Sequence, residues 1–514
     1  MKKDIKVLLI LSSIFLLILL ICVGINNIYG STTDWAVQHI VFPDYFRNLF
    51  YSTGDLTPNL ALNLGAGQNI YYFSYYGLLN PFILLSYLFP FVKMIDYMII
   101  ISILIVIASA FLIYKWLVNN KYDRKMALVC SILFLLMTSF SHAHRHIMFI
   151  NYMPFLILGL MGIDKYFDKG KKTLFILSVF LMIMTSYYYS VGGILCMIIY
   201  GIYKYFKETN KKGLKSFFLA GFKFAVPIII GILMSCILLI PTFLAIVGSR
   251  SSAVKESYNL ASLLLPNLNI EAILYSNYGM GFTSIALIAL IFVILNGSKR
   301  ECLLSCTLAF LFSIPFVMYI LNGALYLRGK VLIPFAPLFV IVLASFFKLL
   351  KKKTISASHI LIASIIILIL AYIFDYQTIY FYIDIALTSI FLIIYTSKIK
   401  KSYIIYIPII IIALISNIVI NEQEKYISKE DYNVITSSDI EDDVDNIKEE
   451  DQSFYRMESL INDTYYTTNK IYTSSFYQTS LYSSTYNSYY HNFYNNVISN
   501  NVPYRNNLIL STPT

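Results

Sequence analysis

The chain has 514 residues, of which 58% are hydrophobic and only 13% are charged, and its mean hydropathy is +0.69. A soluble domain carries roughly 25% charged residues, so this composition excludes an ordinary globular protein and predicts a polytopic membrane protein. The net charge of +11 does not indicate nucleic-acid binding, because the Lys and Arg residues form short clusters between apolar runs, where they report membrane topology.

The first apolar segment, VLLILSSIFLLILLICVGI, follows the basic stretch KKDIK at the N-terminus. A secretory signal peptide begins in a similar way. This run is longer than the apolar part of a signal peptide, however, and no small-residue cleavage site follows it cleanly. The sequence therefore predicts a retained first transmembrane helix.

Apolar runs long enough to span a bilayer, about 17–25 residues each, recur as far as residue 420. We place about thirteen candidate spans, of which one or two short ones could be re-entrant: 6–28, 95–117, 125–141, 147–163, 173–188, 190–205, 217–247, 282–297, 301–320, 330–348, 357–374, 378–397 and 403–420. The predicted fold class is mainly α, a bundle of about 13 transmembrane helices with a large first loop over residues 30–94.

Every second junction between these spans is rich in Lys: MKKDIK, NNKYDRK, DKYFDKGKKT, KYFKETNKKGLK, NGSKRE, KLLKKKT and SKIKKS. The intervening junctions are poor in Lys. Because Lys and Arg remain on the cytoplasmic side of a membrane, the alternation predicts a cytoplasmic N-terminus, with the first loop and the C-terminal tail outside the cell.

The composition changes at about residue 421, which divides the chain into a transmembrane module, residues 1–420, and an extracytoplasmic tail, residues 421–514. The tail begins with an acidic segment, SSDIEDDVDNIKEEDQ, typical of a solvated linker. A stretch rich in Tyr, Ser, Thr and Asn follows. It fits either low-complexity disorder or part of an α/β or β domain, which we expect to be incomplete in this chain.

All six cysteines lie inside or at the edges of apolar runs: Cys22, Cys130, Cys196, Cys236, Cys302 and Cys306. The sequence contains no CxxC pair. We interpret these residues as small core residues and not as disulfides or metal ligands.

Ionisable residues near a membrane are costly unless they are paired or solvated, so those at the outer junctions are candidates for function. The polar set comprises Asp34, Gln38, His39, Asp44, Arg47 and Asp55 in the first loop, His142, His144, Arg145 and His146 in the second, Tyr187, Tyr188 and Tyr189 in the third, Arg250, Lys255 and Glu256 in the fourth, and Arg328 and Lys330 in the fifth. The predicted topology brings these loops to one face.

Asp34 opens an amphipathic stretch, DWAVQHIVFPDYFRNLF, that is typical of a helix lying in the membrane interface. A carboxylate at that depth could accept a proton from a sugar hydroxyl, as a general base does. The equally weighted alternative is that Asp34 only caps the helix.

Two further loop motifs have weaker signals. In NLGAGQN, Gly65 and Gly67 fit a plain turn better than a phosphate-binding loop. In SHAHRHIMF, the three His residues alternate and lack a carboxylate cluster, so we favour either a cationic contact to a phosphate or sugar headgroup, or a partly solvated basic cap, over a zinc site. A divalent metal bound through Asp34 or Asp55 is compatible with the sequence but not required by it.

The segment LNGALYLRGKVLIPFAPLF places Arg328 and Lys330 outside, against the positive-inside rule. An anionic lipid phosphate is a natural partner, because Arg binds phosphate oxygens in a bidentate manner. Snorkelling to ordinary headgroups is the alternative. Arg250, in VGSRSS, is a candidate to join this pair.

Four blocks of the sequence resemble the bacterial YfhO-like membrane proteins: TDWAVQHIVFPDYFRNLF, NLGAGQN with SYYGLLNPF, LNGALYLRGKVLIPFAPL and, in the tail, FYRMES. The resemblance covers nearly the whole chain, and its first block is the most specific. That family is similar to the GT-C glycosyltransferases, which transfer sugar from a polyprenyl-phosphate carrier outside the cell membrane, and its members are implicated in decorating teichoic acids of Gram-positive bacteria.

The resemblance implies that Asp34 is the catalytic base, with Gln38 and His39 in the same motif, and that Arg328 holds the carrier phosphate. Lys330, Arg250, His144, Arg145 and His146 are the further expected binding residues, and Asp44 and Asp55 are secondary carboxylates. Family members usually carry a larger outer domain and a final span, so we expect this chain to end before them.

The alternatives are a transporter or flippase of lipid-linked sugars and a non-catalytic scaffold. A transporter needs polar residues along a path through the middle of the membrane, whereas the spans here are nearly free of charge at their centres. The polar residues gather at one face, which favours the enzyme. The cations on the outer side count against a scaffold.

Overall fold

The computed structural model describes residues 2–208, 213–249, 257–352, 355–398, 404–422, 424–457, 469–471, 473, 475–493, 497 and 508–509. Over these residues the chain is mainly helical, as the composition predicts. Buried apolar side chains from nearly all the helices form one continuous core.

Seven helices in the described part of the chain are long and apolar enough to cross a membrane: Lys2–Val23, Met94–Asn119, Ile147–Lys169, Tyr187–Phe206, Leu214–Met234, Gly329–Lys351 and Ile379–Thr396. Two bent pairs raise the number to nine when each is taken as one span: Arg124–Leu135 with Thr138–His144, and Lys299–Ser313 with Pro315–Leu321. Five apolar helices are shorter: Thr173–Thr185, Cys236–Val247, Ile285–Asn296, Ala357–Ile373 and Tyr406–Asn421. The chain is thus a multi-pass helical protein, and the total of about thirteen spans stays a prediction.

Small residues allow neighbouring helices to approach closely. The helices Met153–Lys169 and Thr173–Thr185 meet at Gly162, where an added Cβ would lie 2.7 Å from the backbone nitrogen of Phe175. Close approach through small residues is the usual way in which membrane helices gain packing contacts.

Ion pairs join the helix ends that are remote from the first loop. Lys115 Nζ lies 2.9 Å from Asp4 Oδ2, so the N-terminus shares a face with the junction near residue 120, as the Lys pattern predicts. Lys204 Nζ lies 3.0 Å from Asp164 Oδ1, and this pair is buried. The indole of Trp116 also donates to Asp164. Both buried charges lie near helix ends and not at helix centres, so they do not form a polar path through the middle of the bundle.

Replacing Lys204 with Met is expected to lower the free energy of unfolding by about 3–5 kcal/mol, because it leaves the buried Asp164 carboxylate without its cation. Lys115→Met is the matched control, because its pair with Asp4 is partly exposed to solvent, which screens the interaction, so a much smaller effect is expected. Denaturant unfolding of the purified protein in micelles measures both. Equal effects of the two variants would contradict this prediction.

The first loop is built from short elements that lie over one end of the bundle. The predicted amphipathic helix is present as a π-helix, Trp35–His39, followed by the α-helix Val41–Thr53. The 3-10 helix Ile70–Tyr76 and the helix Pro81–Ser86 complete the loop. The Asn80 side chain accepts a hydrogen bond from Phe82 N, so it caps the helix that begins at Pro81.

The remaining elements are short or belong to the tail. The helices are Leu260–Leu264, Ile270–Ile273, Lys429–Thr436, Asp439–Glu450 and Ser488–Asn492. Three antiparallel pairs of two-residue strands join Asn27–Ile28 to Ile427–Ser428, Leu60–Ala61 to Gln68–Asn69, and Leu481–Tyr482 to Leu508–Ile509. The first pair ties the tail to the exit of the first helix.

The described parts of the tail dock on the first loop through hydrogen bonds to the carbonyl groups of the tail. Gly65 N donates to Ser480 O at 3.2 Å, and Asn63 Nδ2 donates to Phe476 O at 2.7 Å. The NLGAGQN segment is therefore a turn that receives the tail, and both of its glycines have the positive φ that such a turn requires. The division into a module of residues 1–420 and a separate tail domain stays a prediction.

Candidate functional site

Asp34 lies at the start of the π-helix Trp35–His39, but its side chain makes no capping hydrogen bond. Its Oδ1 accepts a hydrogen bond of 3.1 Å from Tyr482 Oη, and its Oδ2 lies 3.5 Å from His146 Nδ1. The side chain is 24% exposed. The carboxylate therefore faces the junction of three chain segments, and the capping alternative has no support in the geometry.

His146 connects Asp34 to Tyr278, a residue that the sequence did not single out. The His146 Nε2 atom lies 3.0 Å from Tyr278 Oη, and the ring stacks on Phe149. Burial and the neighbouring cationic groups hold the pKa of His146 well below its usual value. A neutral imidazole has one donor and one acceptor nitrogen, so it can hold the Asp34 carboxylate and the tyrosine hydroxyl together.

Gln38 and His39 are buried behind Asp34. Gln38 Nε2 donates to Tyr482 O at 3.4 Å, which fixes the tail strand beside the carboxylate. The His39 ring lies 6.1 Å from that of His146, and its Nε2 has no hydrogen-bond partner among the described residues. Burial lowers the pKa of His39 to about 4, although the charge of Asp34 acts in the opposite direction.

The low pKa of His39 predicts a loss of stability in acid. The unfolded chain binds a proton as the pH falls through 6.5, whereas the folded chain does so only near pH 4. His39 therefore contributes its full share of stability above pH 6.5, and this share is lost as the pH falls towards 4. The loss amounts to about 3 kcal/mol of unfolding free energy. Between pH 4 and pH 6.5, the unfolding free energy should change less with pH for His39→Gln than for the wild type. The same dependence on pH in both proteins would contradict the prediction.

Glu424 is a second site carboxylate, and sequence reasoning missed it. Its Oε1 accepts a hydrogen bond of 2.9 Å from Asn277 Nδ2 and lies 3.4 Å from His142 Nδ1, while its Oε2 lies 3.6 Å from an Arg145 nitrogen. Burial acts to raise the pKa of Glu424, but His142, Asn277 and His144 together outweigh it and hold that pKa below its usual value. Its position in the sequence could have identified it, because it follows the helix Tyr406–Asn421 by three residues, at the face where the outer junctions meet.

The three His residues of the second loop have separate surroundings. His144 stacks on Tyr426 at 4.3 Å, and its Nδ1 lies 3.0 Å from Ser141 O, so it packs the tail against this loop. His142 faces Glu424, and His146 faces Asp34. In the part of the chain that the structure describes, no group of three or more His, Cys, Asp and Glu side chains could hold a metal ion.

Arg328 and Lys330 line a cavity of about 500 Å³, which we call the Lys330 cavity. Its other lining residues are Asn269, Glu271, Ala272, Ser276, Tyr278, Tyr326, Leu327 and Gly329. Lys330 Nζ lies 5.5–5.7 Å from the ring centroids of Phe149, Tyr188 and Tyr326, which are favourable cation–π distances. Because Tyr278 lines this cavity and contacts His146, the cavity adjoins the Asp34 site.

A second cavity, of about 450 Å³, adjoins the same site, and we call it the Glu424 cavity. It is lined by Ser31, Thr32, Thr33, Arg145, Tyr275, Asn277, Ile420, Glu424 and Lys425. Alternate residues of the segment 275–278 face the two cavities, with Tyr275 and Asn277 on this side and Ser276 and Tyr278 on the other. This segment is therefore the wall between them.

Asp384 fixes the chain on both sides of this wall, at Tyr275 and at Ser284. Its carboxylate accepts hydrogen bonds from Tyr275 Oη, from Ser284 N and from Thr388 Oγ1. Asp384 lies in the helix Ile379–Lys398, inside an apolar run, so the sequence did not reveal its link to a loop about 100 residues earlier.

Two predicted carboxylates lie away from Asp34, and one predicted cation is outside the residues that the structure describes. Asp44 pairs with Arg47 at 3.0 Å and lines a different cavity. Asp55 accepts a hydrogen bond from Thr57 N in its own exposed turn. Arg250 lies outside the described residues.

Comparison with known proteins identifies a family. The family model of the bacterial membrane protein YfhO matches residues 5–508, while none of the curated proteins matches the chain. Among solved structures, the chain is similar to the arabinofuranosyltransferase AftD from Mycobacteria, with 12% identity, a TM-score of 0.44, and coverage of 66% of this chain and 24% of that one. It is also similar to the Archaeoglobus fulgidus oligosaccharyltransferase in the apo form, with 12% identity, a TM-score of 0.40, and coverage of 88% and 60%. The chain spans less than two thirds of either protein.

Proposed function

The chain belongs to the YfhO family of bacterial membrane proteins, and from that premise we propose that it is a membrane glycosyltransferase. The donor is a sugar on a polyprenyl-phosphate carrier. The acceptor is a hydroxyl of a cell-surface polymer, such as lipoteichoic or wall teichoic acid. Transfer takes place at the outer face of the membrane, with the N-terminus of the chain in the cytoplasm.

One observation carries the proposal: a partly exposed carboxylate, Asp34, adjoins a cavity that contains two cations, Arg328 and Lys330. Sugar transfer from a lipid phosphate needs a base for the incoming hydroxyl and positive charge for the departing phosphate. Asp34 is connected to this cavity through His146 and Tyr278, which supports the proposal.

In the proposed reaction, Asp34 accepts the proton of the acceptor hydroxyl as the oxygen attacks the anomeric carbon. The bond from that carbon to the carrier phosphate breaks, and the carrier leaves as its phosphate. A single displacement of this kind inverts the anomeric configuration. The neutral His146 holds Asp34 in place and does not compete for the proton at neutral pH.

Arg328 and Lys330 stabilise the charge that develops on the leaving phosphate. Fixed charges aimed at the transition state usually make the largest single contribution to catalysis. The rings of Phe149, Tyr188 and Tyr326 surround Lys330 Nζ and restrict an otherwise flexible side chain, so its ammonium is positioned before the donor binds.

The test is a transfer assay with the purified chain in lipid vesicles. Synthetic polyprenyl-phosphate sugars, radiolabelled in the sugar, serve as donors, and isolated teichoic acids serve as acceptors. We expect label in the polymer with at least one donor and release of polyprenyl phosphate in equal amount. Movement of labelled donor between leaflets without transfer would support the transporter alternative instead. A protein that neither transfers nor moves the donor would refute the proposal.

A further inference from the structure

The Glu424 cavity has no part in binding the donor phosphate as proposed, and its residues point to a different ligand. We propose that it is the acceptor subsite and that it binds two adjacent hydroxyl groups of a polyol or sugar. This inference rests on the proposed function. It adds the position of the acceptor and the chemistry by which the acceptor is recognised.

The two cavities differ in how their charges are paired. Each is lined by two cations and one carboxylate: Arg145, Lys425 and Glu424 in one, and Arg328, Lys330 and Glu271 in the other. Glu424 lies 3.6 Å from Arg145, whereas neither Arg328 nor Lys330 forms an ion pair among the described residues. An anionic group is therefore favoured more strongly in the Lys330 cavity, and a hydroxyl-rich group that can contact Glu424 is favoured in the Glu424 cavity.

Two polar groups at the Glu424 cavity lack hydrogen bonds. Asn277 Oδ1 and Arg145 Nε have no partner among the described residues, although Asn277 is only 9% exposed. An unsatisfied buried polar group costs about 1–3 kcal/mol. A diol has both donors and acceptors, so it can satisfy Asn277 and Arg145 at the same time.

Hydroxyl and carboxylate groups complete the subsite. Ser31 Oγ and Thr33 Oγ1 lie 2.8 Å apart, and either of them can donate or accept. Among the described residues, Glu424 Oε2 has the long contact of 3.6 Å to Arg145 and no closer polar partner, and an ionised carboxylate oxygen accepts more than one hydrogen bond. A diol bound here would donate to Glu424 and contact Thr33, the residue next to Asp34.

The relative positions of the cavities fit an inverting displacement. Such a reaction needs the nucleophile and the leaving group on opposite sides of the anomeric carbon. The segment 275–278 separates the Glu424 cavity from the Lys330 cavity, and Asp34 adjoins one through Thr33 and the other through His146 and Tyr278. A hydroxyl in the Glu424 cavity and a phosphate in the Lys330 cavity would therefore lie on different sides of this segment, with Asp34 next to both.

Saturation-transfer NMR on the full chain in detergent, with ribitol as the probe, tests this site without requiring transfer. We expect a ribitol signal from the wild-type protein, and binding about 10-fold weaker or more in Glu424→Gln, because a charge-assisted hydrogen bond is lost. Thr33→Val is a second, nearly isosteric variant with the same expected direction. Asp55→Asn, a carboxylate-to-amide change in an exposed turn, is the matched control and should bind like the wild type.

The outcomes separate this inference from the proposed function. An absent ribitol signal, equal signals in wild type, Glu424→Gln and Thr33→Val, or displacement of ribitol by inorganic phosphate would overturn the acceptor subsite. If transfer is observed, Glu424→Gln should raise the acceptor KM about 10-fold and leave the donor KM unchanged, and a rise in the donor KM alone would also overturn it. Intact ribitol binding without transfer from any donor would refute the proposed function and leave the polyol site standing.

Discussion

Replacing Asp34 with Asn is expected to reduce the rate of sugar transfer by about 10²–10⁴-fold, the contribution of a positioned general base. The amide oxygen of Asn can still accept the hydrogen bond from Tyr482, and its shape is nearly that of Asp. The fold and the docking of the tail should therefore be retained. Initial rates in the vesicle assay, at matched protein content, measure the effect.

The control for this variant is Asp55→Asn, which changes another carboxylate of the first loop to an amide. Asp55 accepts hydrogen bonds from Thr57 in its own exposed turn, so the transfer rate of Asp55→Asn should stay within about twofold of the wild type, as for a surface substitution. Equal thermal stability of the two variants would show that neither is misfolded. A normal transfer rate for Asp34→Asn would mean that Asp34 is not the base.

Neutralising both cations of the Lys330 cavity, with Arg328→Gln and Lys330→Gln together, is expected to lower kcat by about 10²–10³-fold. This is the loss expected when fixed charges that stabilise a transition state are removed. Because the phosphate gains charge only as it departs, kcat should fall by a larger factor than the donor KM rises. Full kinetics with varied donor distinguish the two parameters.

Lys115→Gln is a suitable control for the double variant, because its pair with Asp4 lies at the helix ends remote from the first loop. It changes the total charge in the same direction without changing the cavity. A raised donor KM with an unchanged kcat would show that the cations bind the donor but do not assist its departure. An effect on neither parameter would remove the Lys330 cavity from the mechanism.

The tail contributes directly to the site. Tyr482 donates to Asp34, and Glu424, which lines the Glu424 cavity, lies 3.4 Å from His142 and 3.6 Å from Arg145. Asn469 Nδ2 donates to Val37 O, within the π-helix that follows Asp34. The segment that composition marks as a separate extracytoplasmic part thus completes the surroundings of a carboxylate in the first loop.

The sequence by itself determined the class of the protein and much of its organisation. Helices over apolar runs such as 95–117 were predictable because a span in lipid must satisfy its own backbone hydrogen bonds. The alternation of Lys-rich junctions predicted that the first, second and fifth loops share one face, and Asp34, His146 and Lys330 do lie together there. Asp34, Arg328 and Lys330 could be selected because each is a charge at an unusual place in an apolar chain.

Only the tertiary structure decided which of these charges meet. The sequence leaves Asp44 and Asp55 as secondary candidates beside Asp34. In the structure Asp44 pairs with Arg47, and Asp55 accepts a hydrogen bond within its own turn. The partners of the site come from distant segments, as the hydrogen bond from Tyr482 to Asp34 spans 448 residues. Local pattern determines whether a segment forms a helix and which face it shares, but the contacts between side chains so far apart depend on how the helices and the tail pack.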